Sequence, residues 1–221
     1  MKTQILIIGA GGIGSLLVDH VSRAFAFSDL SESVGELEMT LMDGDTVESR
    51  NLPHQQFGHS DQSMHKISAI QQRIEAAGML IGNRFELAGI VENFSAETNL
   101  SKYDLVVVAV DREEPRELVH STATNWLDLR ARGDGFVMWS HQDNYYTLDN
   151  LPKLPEGTST SCQLDEAVES GNIQFGFALA AAHGAQWIIQ WLRGASTPSA
   201  KMYSIHMGEF PLPQMTQELV E

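Results

Sequence analysis

The sequence predicts an α/β fold in which a mostly parallel β-sheet carries helices on both of its faces. Short apolar runs alternate with stretches of helical periodicity, as in chains whose strands and helices alternate around a parallel sheet. The run Leu105–Val110 is apolar throughout, as expected of a central strand buried on both faces. Glycines follow the first apolar run, where a strand would turn into a helix. The 221 residues fit a single domain over residues 1–221, and no linker divides them.

Apolar periodicity and the positions of glycine and proline divide the chain into elements. Short apolar or alternating runs that end at glycines or acidic turns predict strands at Gln4–Ile8, Glu36–Met42, Arg84–Ile90, Leu105–Val110, Phe136–Ser140 and Met202–Met207. Helical spacing predicts helices at Ile13–Phe27, Ser63–Ala77, Glu113–Arg130 and Ile173–Leu192. Pro115 is compatible with the first turn of the third helix. The polar stretch from Asn150 to Gly171, which contains prolines and glycines, predicts a long loop.

The composition excludes some classes of partner. The net charge of −15 argues against nucleic-acid binding, because that binding depends on positive side chains that neutralise phosphates. An anionic ligand would have to be met by donors gathered locally. The apolar stretch Ile173–Leu192 carries four polar side chains, so we expect a core helix and no membrane span. The single cysteine, Cys162, allows no internal disulfide and fits a cytoplasmic protein.

The glycines after the first predicted strand are spaced Gly9-x-Gly11-x-x-Gly14, with another at Gly12. Between a strand and a helix, this spacing is typical of a Rossmann-like nucleotide-binding loop. The first glycine makes the turn, the second lets the backbone approach phosphate, and the third lets the helix pack on the strand. The free N–H groups at the helix N-terminus then face the anion. We expect nucleotide binding by residues 1–140, completed by residues 141–221, although a tight turn without a ligand has the same spacing.

Three later stretches carry residues that such a site needs. An acidic residue at the end of the second strand usually holds a ribose hydroxyl, and Asp43 lies there. Residues 43–47 read D-G-D-T-V, residues 51–55 read N-L-P-H-Q with Lys66 beyond them, and residues 106–112 read V-V-V-A-V-D-R. In this order the chain resembles the ThiF/MoeB/ubiquitin-activating family of adenylating enzymes. That family carries D-x-D-x-V, then N-L-x-R-Q, a lysine, and a strand that ends in a metal-binding aspartate.

The resemblance implies an ATP-dependent reaction in which the C-terminal carboxylate of a protein attacks the α-phosphate and releases pyrophosphate. Asp43 would hold the ribose, and Asp45 would belong to the same nucleotide site. Asn51 and Lys66 would meet the phosphates, and Asp111 would hold a Mg²⁺ ion that bridges phosphate oxygens. Structural interpretations also exist: the acidic pair as a turn, Asn51 as a cap, Lys66 as a solvated lysine, and Asp111 as a helix N-cap.

Cys162 is the candidate nucleophile. In family members that carry an activated protein onward, a cysteine lies in a loop ahead of a core helix, and Cys162 has such a place. Its thiolate would attack the acyl-adenylate and hold the product as a thioester. Asp165 and Glu166 would tend to raise the pKa of the thiol, so an incidental loop cysteine is the alternative.

The implied partner is a small ubiquitin-like or sulfur-carrier protein, and the implied assembly is a homodimer or a dimer with a related subunit. The chain departs from the pattern at His54, which stands where N-L-x-R-Q has arginine, and Arg50 or Arg116 would have to compensate. It begins at its first strand, whereas the family often supplies an arginine from an N-terminal helix across a dimer. Paired C-x-x-C motifs are absent, so we expect no structural zinc. We interpret His54, His59 and His65 as part of a polar loop.

Two other functions stay open. His54 and the missing N-terminal arginine favour a catalytically degenerate subunit that binds nucleotide or the carrier protein as a partner module. An oxidoreductase that uses NAD or FAD would share the glycine loop, but it does not account for Asn51, Lys66 and Asp111 as a set. Because one fold hosts many activities, the geometry of the site has to separate these functions.

Overall fold

The computed structural model describes residues 2–143, 162–164 and 166–210. Within these ranges the chain forms one eight-stranded sheet, five α-helices, and 3₁₀ turns at Ser49–Asn51 and His59–Asp61. The strands are β1 (Lys2–Ile8), β2 (Glu36–Met42), β3 (Phe85–Ile90), β4 (Leu105–Val108), β5 (Trp126–Arg132), β6 (Gly135–Ser140), β7 (Lys201–Ser204) and β8 (Gly208–Phe210). The helices are α1 (Gly12–Phe27), α2 (Leu30–Val34), α3 (Lys66–Ala76), α4 (Glu113–Thr122) and α5 (Gly176–Leu192).

The strand order in the sheet is β3-β2-β1-β4-β5-β6-β7-β8. The pairings from β3 to β5 are parallel, and those from β5 to β8 are antiparallel. Ile5 of β1 lies opposite both Met39 of β2 and Leu105 of β4, so β1 has a parallel neighbour on each side. The predicted α/β, Rossmann-like fold with a mostly parallel sheet is confirmed.

Alternate side chains of the strands enter two apolar layers, one on each face of the sheet. Ile5 and Ile7 of β1 belong to the layer that packs against α1, α3 and α5. Leu6 and Ile8 belong to the other layer, with Val119 of α4. All four β1 side chains are at most 1% exposed. Burial on both faces fixes β1 in the sheet, and with it the position from which the glycine loop starts.

The chain changes direction within the sheet after β3, and this creates a crevice. From β1 it runs outward to β2 and β3 on one side, then returns to β4 on the other side of β1. The loops after β1 and β4 therefore diverge beyond the carboxyl ends of the strands. The N–H of Gly9 donates to the carbonyl oxygen of Met42, and that of Ala109 donates to Ile8, both at 2.9 Å. These bonds hold the ends of β1, β2 and β4 together beneath the crevice.

The predicted helix Glu113–Arg130 is wrong in its second half. Helix α4 ends at Thr122, and the chain then forms β5, parallel to β4. The reason is a period of two: Leu127 and Leu129 enter the layer beneath α5, while Asp128 between them faces α4. Asp128 is fully buried, and Arg116 of α4 neutralises it. The segment is therefore a buried strand although one of its faces is charged.

Smaller differences occur where a predicted helix begins or a predicted strand ends. α3 begins at Lys66, because His65 before it is extended and forms a β-bridge with Thr46. α5 begins at Gly176 and not at Ile173, and a Cβ at residue 176 would lie 2.6 Å from the carbonyl oxygen of Gly133, so only glycine fits there. The predicted strand Met202–Met207 is too long: β7 ends at Ser204, residues 205–207 form a turn, and β8 begins only at Gly208.

Two further expectations concern the long loop and the absence of a membrane span. The predicted loop from Asn150 to Gly171 lies largely outside the described residues, and its described part forms turns. Among the helices of the described ranges, none has the length and apolar character needed to cross a membrane.

Candidate active site

The glycine loop connects β1 to α1 and forms the floor of the crevice. Gly9 has a φ of +102°, and a Cβ there would lie 2.6 Å from the carbonyl oxygen of Ala109. A Cβ on Gly14 would overlap the carbonyl oxygen of Gly9, so these two glycines are required by backbone packing. Gly11 differs, because its nearest neighbour would be the flexible side chain of Gln55 at 3.9 Å. The floor above Gly11 is therefore open, and the first N–H groups of α1 face it.

Asp43 joins the glycine loop to the loop after β2. One carboxylate oxygen accepts the backbone N–H of Ala10 at 2.7 Å, and the other accepts the N–H of Asp45 at 2.8 Å. Carboxylate oxygens have more than one lone pair, so each can still accept a hydroxyl donor. The carboxylate is thus fixed in orientation at the edge of the crevice, where a ribose would need it.

Lys66 is buried although it is the first residue of a helix. Its side chain is 9% exposed, and Nζ lies 2.7 Å from Oδ2 of Asp45, whose own side chain is 64% exposed. The backbone N–H of Lys66 also donates to the carbonyl oxygen of Asp45 at 3.0 Å. A solvated surface lysine would not be held in this way. The ammonium group is placed at the crevice with one exposed carboxylate as its partner.

The N-L-P-H-Q segment forms the wall beside Lys66. Oδ1 of Asn51 accepts the backbone N–H of Glu48 at 2.8 Å, so Asn51 does close a turn, and its amide nitrogen is not used in that bond. His54 is 8% exposed, and burial followed by the Lys66 ammonium lowers the pKa of its imidazole. Gln55 lies next to it, with its Nε2 3.4 Å from Nε2 of His54.

Asp111 follows β4 on the opposite side of the crevice and is exposed. The N-cap of α4 is Arg112, so Asp111 is not the cap that the alternative interpretation required. The described residues contain no cluster of three or more His, Cys, Asp or Glu side chains that could hold a metal. Mg²⁺ is nevertheless commonly bound by one or two carboxylates together with substrate phosphates. A single exposed carboxylate across from a glycine loop is compatible with that mode.

These loops enclose one cavity of about 760 Å³ at the carboxyl end of the sheet. This volume lies within the range of small-molecule sites. Of the glycine-loop, ligand-binding and nucleophile residues predicted from the sequence, nine line it: Gly9, Gly11, Gly12, Asp43, Asp45, Asn51, Lys66, Asp111 and Cys162. Gly14 does not line the cavity and acts through packing.

A sequence model of the ThiF family matches residues 1–218. The chain belongs to the ThiF family. The Microcin C7 biosynthetic enzyme MccB in complex with N-formylated MccA has a TM-score of 0.67 and 20% identity, over 96% of this chain and 64% of that chain. E. coli MccB with ATP has a TM-score of 0.61 and 21% identity, over 99% and 65%. PaaA has a TM-score of 0.62 and 14% identity, over 96% and 65%.

At these identities the structural likeness concerns the fold. The chain spans less than two thirds of the length of each of these three proteins. No curated protein sequence matches it.

The two arginines that could compensate for His54 within this ThiF-family site behave differently. Arg116 is 4% exposed, and its guanidinium pairs with Asp128 and donates to the carbonyl oxygen of Val110. Arg116 therefore borders the cavity, but its guanidinium is already engaged by these two partners. Arg50 lines the cavity, but it is largely exposed and its Nε lies 2.7 Å from a carboxylate oxygen of Glu48.

Cys162 lies at the wall of the cavity, half-buried beside the glycine loop. A Cβ on Gly12 would be 3.4 Å from its sulfur, and the Gly133 N–H donates to its carbonyl oxygen at 2.8 Å. Burial raises the pKa of the thiol to about 11, and Asp111 across the cavity adds to the effect. The raised pKa agrees in direction with the sequence-based expectation, but its main cause is burial. Asp165, one of the acidic residues held responsible for it, lies outside the described residues.

Sequence reasoning missed several cavity residues, among them Gln55 and Arg130. Gln55 lies within the N-L-P-H-Q motif itself, so its position in that motif was the available signal. Arg130 was assigned to a helix, whereas it lies on β5 and lines the cavity. Its guanidinium pairs with both carboxylate oxygens of Glu113 at 2.9 Å and lies over the ring of Trp139, 4.5 Å from the centroid. The alternation of apolar and charged residues in 126–132 could have identified it.

Proposed function

We propose that this protein catalyses the ATP-dependent adenylation of the C-terminal carboxylate of a polypeptide. A carboxylate oxygen forms a bond to the α-phosphorus, the bond from that phosphorus to the α–β bridging oxygen breaks, and pyrophosphate leaves with the bridging oxygen. The attacking carboxylate is already ionised at neutral pH, so the reaction needs alignment and charge neutralisation more than a general base. The observation that carries the proposal is the buried Lys66 ammonium beside the open glycine loop in one nucleotide-sized cavity.

The proposed role of each residue is supported by its position. The carboxylate of Asp43 accepts the ribose hydroxyls, since its orientation is fixed by Ala10 and Asp45. The N–H groups at the start of α1, the amide nitrogen of Asn51 and the ammonium of Lys66 donate to the phosphates. These donors are in place before the ligand arrives, which is the condition for stabilising charge that develops in a transition state.

Mg²⁺ fits the acidic side of the cavity, where Asp111 would hold it. The ion would supply positive charge that neutralises the phosphates. The negative carboxylate of Asp111 would bind the ion on the side of the cavity away from Lys66. In this proposal the Lys66 ammonium and the N–H donors bind the phosphates directly, and the Asp111 carboxylate would hold the metal.

The substrate class is drawn from the structural relatives and the family. MccB has been solved with the MccA peptide, which supports a peptide or small protein whose C-terminus enters the cavity. We propose a small ubiquitin-like or sulfur-carrier protein as the substrate. The rest of the cavity, lined by Arg130, Ala131 and Leu164, is available for its C-terminal residues.

Isotope exchange between pyrophosphate and ATP tests the activity directly. The assay needs the full-length chain, Mg²⁺ and a candidate carrier, and we expect exchange only when the free C-terminal carboxylate is present. A carrier whose C-terminus is amidated is the matched control. Calorimetry should show binding of ATP with Mg²⁺ and not of NAD or FAD. Tight NAD binding without ATP binding would reject adenylation in favour of an oxidoreductase.

A second candidate function is a degenerate subunit that binds nucleotide without using it. The observation that favours it is His54, a neutral side chain where the family pattern has arginine, combined with the use of Arg116 in the core. Such a subunit would bind ATP in calorimetry yet show no exchange with any carrier. The two assays together therefore separate the two functions.

We propose that the protein works as a homodimer or as a dimer with a related subunit, as the family resemblance implies. Light scattering on the purified chain, alone and with ATP and carrier, measures the mass. A monomer under every condition would reject this assembly.

A further inference from the structure

His54 and Gln55 leave two buried polar atoms without hydrogen-bond partners at the cavity wall. Within the described part of the chain, Nδ1 of His54 and Oε1 of Gln55 are both unpaired. Nε2 of Gln55 points at Nε2 of His54, 3.4 Å away. A half-turn of the Gln55 amide would present Oε1 to that ring nitrogen as an acceptor. In that orientation Oε1 would accept a proton carried by Nε2, and Nδ1 would be the second donor of a protonated ring.

The surroundings of His54 keep it neutral while the cavity holds no ligand. Burial and the Lys66 ammonium of α3 both lower the pKa of the imidazole. On the α5 side the ring of Phe177 lies 6.3 Å away and carries no charge. The other charged groups of this wall have partners: Arg50 pairs with Glu48, and Asp45 pairs with Lys66. The carboxylate of Asp43 accepts two backbone N–H groups. The thiol of Cys162 has a raised pKa and is neutral. Asp111 lies on the opposite wall.

A polyphosphate on the glycine loop would reverse this balance, because several negative oxygens would enter a cavity that His54 lines. We propose that His54 takes up a proton from solvent when a polyphosphate binds, so that nucleotide affinity increases as the pH falls. The proton adds to the ring nitrogen that lacks one, and no covalent bond to the ligand forms. His54 then carries, in the complex only, the positive charge that an arginine would carry permanently. This inference deepens the proposed nucleotide site and rests on it.

The direction of the pH dependence follows from linkage. In the free protein the imidazole titrates below its usual value of 6.5, so it is neutral near pH 7. Bound phosphates raise its pKa, and between the two values binding takes up as much as one proton. Affinity then improves by up to about tenfold for each unit that the pH falls, and the dependence vanishes above the bound value.

Titration calorimetry of ATP with Mg²⁺ near neutral pH, in buffers of low and high ionisation enthalpy, counts the protons. We expect net uptake in the wild type and less uptake in His54→Gln, which keeps a hydrogen-bonding side chain but does not titrate. His59→Gln is the matched control, because His59 is exposed in the same segment. We expect His59→Gln to take up as many protons as the wild type. Protons that the nucleotide itself gains or loses are the same for every variant and cancel in the comparison. His54→Arg should bind ATP with an affinity that no longer changes with pH through the protonation of residue 54.

Two outcomes overturn the inference while leaving the nucleotide site intact. One is ATP binding with the same proton uptake in the wild type and His54→Gln. The other is a wild-type affinity that does not rise as the pH falls. If ATP does not bind at all, the proposed function fails, and inorganic tripolyphosphate is then the probe. Proton uptake on tripolyphosphate binding that is lost in His54→Gln would support the inference for a polyphosphate site. If tripolyphosphate does not bind either, both the inference and the proposed nucleotide site are rejected. If His54→Gln fails to fold, His54→Arg supplies the comparison.

Discussion

The ammonium nitrogen of Lys66 lies 2.7 Å from Oδ2 of Asp45, and the lysine is the buried partner of the two. An exposed ion pair of this kind would contribute little to stability. Here the buried cation is held at the wall of the cavity by a carboxylate that water can reach. Under the proposed function, a ligand phosphate would take the place of that carboxylate beside the ammonium.

Replacing Lys66 or Asp111 tests whether the two sides of the cavity act on ATP. We expect Lys66→Ala and Asp111→Ala each to reduce carrier-dependent pyrophosphate exchange by at least about 10²-fold, the usual effect of removing one preorganised electrostatic contact. Lys102→Ala is the control, because Lys102 is an exposed lysine outside the cavity. Folding is checked by thermal melting. Wild-type exchange in both variants would mean that the two residues serve structure only.

Two glycines of the same loop should respond oppositely to alanine. Gly14→Ala would drive a methyl group into the carbonyl oxygen of Gly9, so we expect a large loss of thermal stability or failure to fold. Gly11→Ala meets only the movable end of Gln55 at 3.9 Å, so the protein should fold normally. Its methyl group would nevertheless occupy the floor of the cavity and weaken ATP binding. Equal melting temperatures for the two variants would contradict this assignment.

Asp128 is expected to be the most sensitive charged residue for stability. It is fully buried and pairs with Arg116 and Arg130, so Asp128→Ala leaves buried guanidinium charge without its carboxylate. We expect a loss of about 3–5 kcal/mol in the free energy of unfolding, measured by urea denaturation. Glu113→Gln should cost less, because Glu113 is partly exposed and Arg130 keeps Asp128 as a partner. The reverse order would show that Glu113, and not Asp128, holds the network together.

The thiol of Cys162 should react slowly with alkylating reagents at neutral pH. Its pKa is raised to about 11, so the thiolate is a small fraction until the pH approaches that value, and the alkylation rate should rise with pH throughout the neutral range. If Cys162 accepts the activated carrier, incubation with ATP, Mg²⁺ and carrier gives an adduct that thiol reductants cleave. Cys162→Ser should remove that adduct or give a more stable oxyester, while exchange persists. Onward transfer that survives Cys162→Ala would show that the adenylate passes directly to another acceptor.

The sequence was most informative where one signal determines one element. Gly9 and Gly14 could be placed because their spacing and their position after a strand have few structural solutions. Glu36–Met42 was predicted with its observed bounds, since alternation and the following acidic turn agree. Asn51 of the β2–α3 connection, Lys66 at the start of α3 and Asp111 after β4 all line one cavity. The resemblance to the motif order of the family was the signal that predicted them as a set.

The errors came from signals that depend on tertiary contacts. Asp128 and Arg130 were included in the predicted helix Glu113–Arg130, because the sequence alone does not indicate that Arg116 and Glu113 of α4 neutralise them. The orientation of Arg116 was undecided for the same reason. The two unpaired atoms of His54 and Gln55 are a property of packing and have no counterpart in residue type or spacing.

The double hydrogen bond of Asp43 has a consequence for how quickly a bound nucleotide could leave. The glycine loop and the loop after β2 each attach to this carboxylate through one N–H, at Ala10 and Asp45, whereas the strands beneath them are fully paired. Hydrogen bonds to a charged group contribute about 1.5–3 kcal/mol each. Separating the two loops would therefore break one such bond and leave every strand in place. We expect the dissociation rate to be set by this small local opening, on a timescale much shorter than that of unfolding any part of the sheet.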